Sequence, residues 1–358
     1  MSLNFKPTIN RLKPFFLFGT LLSLCQCIEP FTPDANQQDT QLVVNGIITD
    51  EPGPHTVTLT QTKAVPYEPG AIPYVRNAFV VVSDNKGNQE YLAETAPGIY
   101  KTSANFLGQV GNSYTLTITI GENEYVSAPE VLQAVPAIDD VTYDVEKRVV
   151  LDQDKQPVSI NYLNAYVDTR DPAAERNFYR WEYEVIYEVE TQPWDYCIPN
   201  PLGVECIPAP KSCCKTCWVT HYNDVIRQQN DRLVNGKEIK KQLVAKLPIE
   251  NPMFSTRLQL EIRQYSLSEP AYSFYNTLQT QVTGVGNIQD PPPAFIKGNM
   301  THVNKPDDVV LGNFSASGIA RKSIFIDPMT LGLPVKFFVY PDDCREMPNS
   351  TTITPAGW

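Results

Sequence analysis

The chain has 358 residues, 42% of them hydrophobic and 19% charged, a balance that excludes an extended disordered protein and leaves room for more than one domain. Its formal net charge of −11 argues against nucleic acid and against an anionic membrane surface as partners. Thirty-one prolines, 18 tyrosines, 15 phenylalanines and many short Val/Thr/Ile runs point to β-sheets rather than a helix bundle.

The N-terminal stretch is built as an export signal. Lys6, Arg11 and Lys13 form a positive region, and Phe15 to Leu24 form a short apolar one. That apolar run is too short for a bilayer, which takes about 20 residues, and no small-residue cleavage pattern follows it. In its place stand Leu24-Cys25-Gln26-Cys27, which resemble a bacterial lipobox in which the last Cys is lipidated and becomes residue one of the mature protein. Gln26 sits where Gly, Ala or Ser is usual. Cys27 is the expected lipidation site and Cys25 the alternative, disfavoured because Leu24 precedes it. Residues 1–26 are then a signal peptide. Residues 27–41, with almost no apolar periodicity, are the lipidated Cys and a tether. The mature chain is more acidic still, since the removed segment carries only basic charges.

From Leu42 to Pro136 the chain alternates as half-buried strands, LVVNGIIT, HTVTLTQT, AFVVVSD, NQEYLAET, GIYKTS, SYTLTITI and NEYVSAP, separated by Pro/Gly/Asn/Asp turns. This predicts a transthyretin- or immunoglobulin-like β-sandwich over 42–136. Within it, Tyr114 is expected to act as a corner tyrosine, with Leu116 and Ile118 facing the core. Residues 137–358 are expected to form a second β-sandwich. Its strand FYRWEYEVIYEVE (178–190) places Tyr179, Trp181, Tyr183, Val185, Tyr187 and Val189 on one face. Residues 191–218 form a cysteine-rich loop. Segments 232–249 and 256–268 are strands, the first around an Asn235-Gly236 turn. Ser268 as N-cap and Pro270 in the first turn open a helix over 269–282, with Ala271, Phe274, Leu278 and Val282 near helical spacing. The segments 309–320 and 322–327 are expected to complete the second sandwich.

Six cysteines remain in the mature chain: Cys197, Cys206, Cys213, Cys214, Cys217 and Cys344. In an exported protein they are first of all disulfide candidates, because a loop so poor in core formers needs cross-links. A vicinal Cys213–Cys214 bond is set aside as strained, and Cys344 is expected to tie the C-terminal segment back to the loop. A metal site or a redox-active Cys214-x-x-Cys217 is the alternative. It would need reduced thiolates, or the strand-to-helix setting that a Pro-rich loop does not supply. His55, His221 and His302 lie far apart in sequence and in no ligand spacing. Asp139-Asp140, Asp307-Asp308 and Asp342-Asp343 are acidic pairs of the kind an acidic chain contains by chance. The sequons at Asn299, Asn313 and Asn349 are coincidental in a bacterial lipoprotein. No catalytic residue, cofactor or metal is expected.

Cys27-Ile-Glu-Pro-Phe31, Leu42-Val-Val-Asn-Gly46-Ile-Ile-Thr-Asp50 and the Gly98-x-Tyr100 to Tyr114 spacing form one ordered set with Val135-Pro-x-Ile-Asp139 and Ser266-Leu-Ser-Glu-Pro-Ala-Tyr272. Pro293-Ala294, Gly298-Asn299 and Leu311-Gly312-Asn313-Phe314 extend it. In this order the motifs resemble those of the family known as domain of unknown function 4249, predicted outer-membrane lipoproteins of Bacteroidota-type bacteria. The resemblance implies a lipid-anchored location on the outer membrane, periplasmic or cell-surface, and hands over no catalytic residue. Members often look like companions of TonB-dependent transporters, so it also implies such a receptor as partner. A non-catalytic partner-binding protein is therefore expected, with a structural or adhesive surface protein and a hydrolase of unfamiliar type as alternatives.

Overall fold

A computed structural model describes residues 40–358 apart from 63–71, 153, 174, 202, 204–205, 224, 250, 285–295, 334–337 and 339. The expected anchor residues Cys25 and Cys27, and the tether up to residue 39, lie outside these; its last residue, Gln41, is already hydrogen-bonded to Thr62. Among the described residues the fold is mainly β with one α-helix, and none of their helices is long and apolar enough to cross a membrane.

Among the described residues eight strands arise before residue 132: β1 (Leu42–Thr49), β2 (Thr56–Gln61), β3 (Phe79–Asp84), β4 (Gln89–Ala96), β5 (Ile99–Lys101), β6 (Ser113–Ile120), β7 (Asn123–Ser127) and β8 (Glu130–Val131). Each expected run of alternation gives a strand because one of its faces is apolar. In β6, Tyr114, Leu116 and Ile118 are buried while the threonines between them are half-exposed. Tyr114 behaves as a corner: its hydroxyl accepts a hydrogen bond from the Gln109 backbone N–H at 2.7 Å.

The next strands are longer: β9 (Ile138–Leu151), β10 (Pro157–Arg170), β11 (Phe178–Glu190), β12 (Cys197–Ile198), β13 (Ile207–Pro208), β14 (Thr216–Tyr222), β15 (Arg227–Asn230), β16 (Glu238–Pro248) and β17 (Leu258–Ser266). After helix α1 (Glu269–Thr283) come β18 (Met300–His302), β19 (Leu311–Ser317), β20 (Ile319–Ile326) and β21 (Ser350–Thr351). A three-stranded sheet, β16-β10-β9, faces a larger one, β20-β17-β11-β14-β21, to which β15 adds on β11. Leu163, Ala165, Val167, Val244 and Leu247 from the first sheet share a core with Trp181, Val185, Val189, Leu260 and Ile262 from the second. All six predicted inward residues of β11 are buried.

Two connections differ from the expectation. The segments 309–320 and 322–327 do not both complete the second sandwich. β19 pairs in parallel with β1, and β18 pairs with β7, so both join the first sheet in the order β18-β7-β6-β3-β4-β5-β2-β1-β19. The two ends of that sheet approach one another, where Gly298 N donates to Val310 O at 3.1 Å, and the sheet is nearly closed. The Asn235-Gly236 turn likewise does not close a hairpin. β15 before it pairs with β11 and β16 after it pairs with β10, so the turn carries the chain from one sheet to the other. In both cases periodicity correctly marked a strand and its buried face. Its neighbour is set by backbone edges elsewhere in the chain, which periodicity does not encode.

β19 and β20 are one strand interrupted at Gly318. Its first half belongs to the first sheet and its second half pairs with β17 in the second. A Cβ at Gly318 would lie 2.5 Å from Gln133 O and 3.0 Å from Val135 N, so only glycine lets the connecting segment cross there. Gly318 N donates to Gln133 O at 3.0 Å and to Ser266 Oγ at 2.8 Å, and Ser266 Oγ donates to Gln133 O at 2.7 Å.

Helix α1 starts and stops where its caps dictate. Ser268 Oγ accepts from Ala271 N, Pro270 occupies the first turn, and Gly284 follows the last residue. Ala271 and Tyr275 are buried and Phe274 and Leu278 partly so, whereas Val282 is exposed. Beneath the helix the Arg180 guanidinium sits 4.5 Å from the Tyr275 ring centre and 5.0 Å from that of Tyr265, and 3.0 Å from Glu182. Two aromatic faces and one carboxylate thus compensate a buried cation.

Candidate functional site

The motifs scattered along the sequence converge at one junction. Gly298 and Gly312 allow three backbones to stack: a Cβ on Gly298 would strike Gly312 O, and one on Gly312 would strike Val44 O. Gly312 also has φ +81, a conformation only glycine adopts readily. The Asn299 side chain clasps the backbone of Phe314, its Nδ2 donating to Phe314 O at 2.7 Å while Phe314 N donates to its Oδ1 at 3.0 Å. Asn299 Nδ2 also reaches Glu130 Oε1 at 3.1 Å, and Ser268 Oγ donates to Glu130 Oε2 at 2.7 Å. One buried carboxylate therefore joins β8, the cap of α1 and the segment before β18.

Glu130 is 2% exposed, and its pKa is raised above the ordinary 4.5 because burial penalises the charge more than the bonds from Ser268 and Asn299 favour it. Both of its oxygens are committed to fixed donors, so the shift has a structural cause. Sequence reasoning passed over this residue. The one available signal was a charge between Pro129 and the apolar Val131-Leu132.

A cleft of about 350 Å³ borders the junction, between Pro270, Ser273, Phe274 and Thr277 of α1 and the segment Ile296–Asn299. A second, of about 400 Å³, is lined by Asp84, Asn88, Gln89, Glu90, Phe106 and Tyr114 among others. There the Asp84 carboxyl is held below its ordinary range, chiefly by the Asn88 side chain, and Glu90 accepts from Ser103 N at 2.6 Å. Both clefts present amides, hydroxyls and aromatic edges, the chemistry of hydrogen-bonded recognition.

The remaining candidates fall elsewhere. His55 precedes β2, where burial lowers its pKa and its ring meets Phe106 edge-on. His221 lies in β14, and His302 in β18 bonds Asn123 through Nε2. Among the described residues no group of three or more His, Cys, Asp or Glu is placed to hold a metal. Asp343 caps the turn that carries Cys344, with Arg345 holding its carboxyl down to about 2. Lys322 lies 3.9 Å from Asp140. The sequon residues Asn299 and Asn313 both donate to Phe314 O, so their amides serve the junction.

All six cysteines of the folded part are paired. Cys197–Cys206 closes the β12–β13 hairpin with Cα atoms 5.5 Å apart. Cys217–Cys344 joins β14 to the C-terminal segment across 127 residues, with Cα atoms 5.6 Å apart and both residues fully buried. Cys213 and Cys214 are bonded to one another across a cis peptide. This vicinal pairing departs from the expectation that strain excludes it: the other four cysteines take each other at ordinary separations, so these two have no other partner. Cys214 O accepts from Thr191 Oγ1 at 2.9 Å and Cys344 N at 3.3 Å, which seats the loop under the C-terminal segment.

The model of one protein family, described as Domain of unknown function (DUF4249), matches residues 28–323. The chain belongs to the DUF4249 family. No curated protein matches it. The DUF4249 match spans both sheet systems and the junction, and it ends at Ser323, inside β20. The turn carrying Cys344 lies beyond it.

Two outcomes follow from this geometry. Cys344→Ser opens a 127-residue closure, for which the chain-entropy relation gives about 4–5 kcal/mol, against about 2–3 kcal/mol for a closure as short as Cys197–Cys206. Thermal unfolding should show Cys344→Ser melting several degrees below Cys197→Ser; the reverse order would assign the C-terminal segment little weight. For Glu130, a folded pKa above the unfolded one means that its contribution to stability is full below about 4.5 and falls as pH rises through the folded value. As pH rises above about 4.5 the melting temperature of wild type should therefore drop relative to that of Glu130→Gln. Parallel pH profiles for the two proteins would contradict this origin of the shift.

Proposed function

We propose that this protein is a non-catalytic, lipid-anchored protein of the outer membrane that binds a partner, and that it serves as accessory to a TonB-dependent transporter. The observation that carries the reading is the coincidence of two independent boundaries. The lipobox-like stretch favours Cys27 as residue one of the mature chain, and the family match begins at the next residue, Ile28. A basic region and a short apolar run precede that boundary. A weakly patterned tether follows it, before the first described strand at Leu42. Anchoring of this kind rests on the two or three acyl chains of a bacterial lipoprotein, each buried CH₂ contributing about 0.8 kcal/mol. The architecture supports binding over chemistry. The polar groups at the family's convergent motifs hold backbone segments together, and the cleft beside them, like the separate one at Asp84, offers amides and aromatic rings to a polar surface.

The test is affinity capture of the tagged full chain from detergent-solubilised outer membrane, alongside metabolic labelling with a palmitate analogue. Label should enter wild type and Cys25→Ala but not Cys27→Ala, and a TonB-dependent transporter should co-purify with the wild type. Labelling of Cys27→Ala at the wild-type level would refute the anchor. Capture of surface glycan with no transporter would favour an adhesive role. Turnover lost on changing a single acidic residue would favour a hydrolase.

A further inference from the structure

β20 reaches only the start of β9, where Lys322 Nζ donates to Asp139 O, and from Thr142 to Leu151 no described strand pairs with the outer edge of the β9–β10 ribbon. β9 ends its sheet, and β16 lines β10 only from Tyr162 onward, so residues 147–151 and 157–161 form a two-stranded projection. From Thr142 to Leu151 the ladder between β9 and β10 is continuous and free of bulges, leaving the outer backbone groups of β9 straight and available. On the odd-numbered face of that edge stand Tyr143, Val145, Val149 and Leu151, exposed by 39%, 38%, 69% and 67%. A short ribbon of two strands is marginally stable in water, so these residues make an incomplete surface.

The sequence of this edge complements itself. We propose that β9 pairs antiparallel with β9 of a second copy, with Lys147 on the two-fold axis, to give a continuous six-stranded sheet. In that register Val145 faces Val149 of the other copy and Tyr143 faces Leu151, each pair twice, so all four exposed apolar residues find apolar partners. On the opposite face Glu146 stands across from Arg148, again twice. A shift of one residue sets the apolar face of one copy against the charged face of the other. Centring on Val145 places Glu146 across from Asp144, a repulsive pair, and centring on Val149 leaves Tyr143 and Val145 uncovered. Between Tyr143 and Leu151 the one like-charged contact, Lys147 with itself, falls on the axis, where the long side chains can diverge into water. The contact is isologous and closes after two copies. A lipid surface fits less well, because the ribbon's turn carries Asp152, Asp154 and Lys155, and entry into hydrocarbon would bury all three charges.

The register makes the test sharp. In the full chain kept in detergent, Lys147→Cys should form a covalent dimer under mild oxidation, since the two sulfur atoms meet at the axis. Val149→Cys should not, because its two copies lie four residues apart along the strands, about 13 Å, beyond the roughly 7 Å limit for a disulfide. Val149→Lys should weaken dimerisation at least about tenfold in sedimentation equilibrium, whereas Lys147→Thr should tighten it, a gain that misfolding would not produce. The proposal is overturned if the wild-type chain sediments as a monomer at every concentration, or if Val149→Cys cross-links as readily as Lys147→Cys.

Discussion

Gly318 lacks a side chain, and the joining of the two sheet systems depends on that. At this residue one strand leaves the partnership of β1 and enters that of β17 within a single step, while the segment Gln133–Val135 crosses close enough to exclude a Cβ. The crossing segment is itself the link between β8 and β9. Two covalent passages between the sheet systems therefore touch each other, and Ser266 secures both, since its hydroxyl donates to Gln133 O and accepts from Gly318 N. Because the contact is made by backbone groups, it leaves no tolerance for displacement of either passage.

Polar side chains extend this clamp into both cores. Gln264 is fully buried. Its Nε2 donates to Pro136 O at 2.8 Å, and its Oε1 accepts from Trp181 Nε1 at 2.8 Å, so the linker is tied to the largest buried side chain of the second core. Glu130 performs a similar service on the other side, reaching the cap of α1 and the clasp of Asn299 on Phe314. Each of these groups would be costly to bury alone. Together they satisfy one another and fix how the last third of the chain returns to the first. The Cys217–Cys344 bond adds a covalent tie within the second sheet system, near the start of β14.

Much of this was legible in the residues. The alternation of β6 and β11, the Ser268 cap, the Pro270 first turn and the corner role of Tyr114 are local, and a local pattern reports a local structure. The long tie from Cys344 to the loop followed from an even set of six cysteines of which the other five all lie within 197–217. What could not be read was partnership. Nothing in Leu311–Ser317 states that its neighbour is β1, more than 260 residues earlier. The vicinal Cys213–Cys214 pairing depends on where four other cysteines are placed by the fold. The family motifs carry the same lesson. Gly298-Asn299 and Leu311-Gly312-Asn313-Phe314 are weak in sequence because each encodes half of a contact, and their meaning appears only when the halves meet.

If the strand through Gly318 binds the two sheet systems into one cooperative body, their slowest amide protons must share a single opening reaction. Native-state hydrogen exchange across a denaturant series tests this directly. Amides of β1 and β19 in the first sheet and of β17 and β20 in the second should converge on one free energy of opening with one denaturant dependence. Two separate plateaus, with the first sheet opening while β17 and β20 remain protected, would contradict the account.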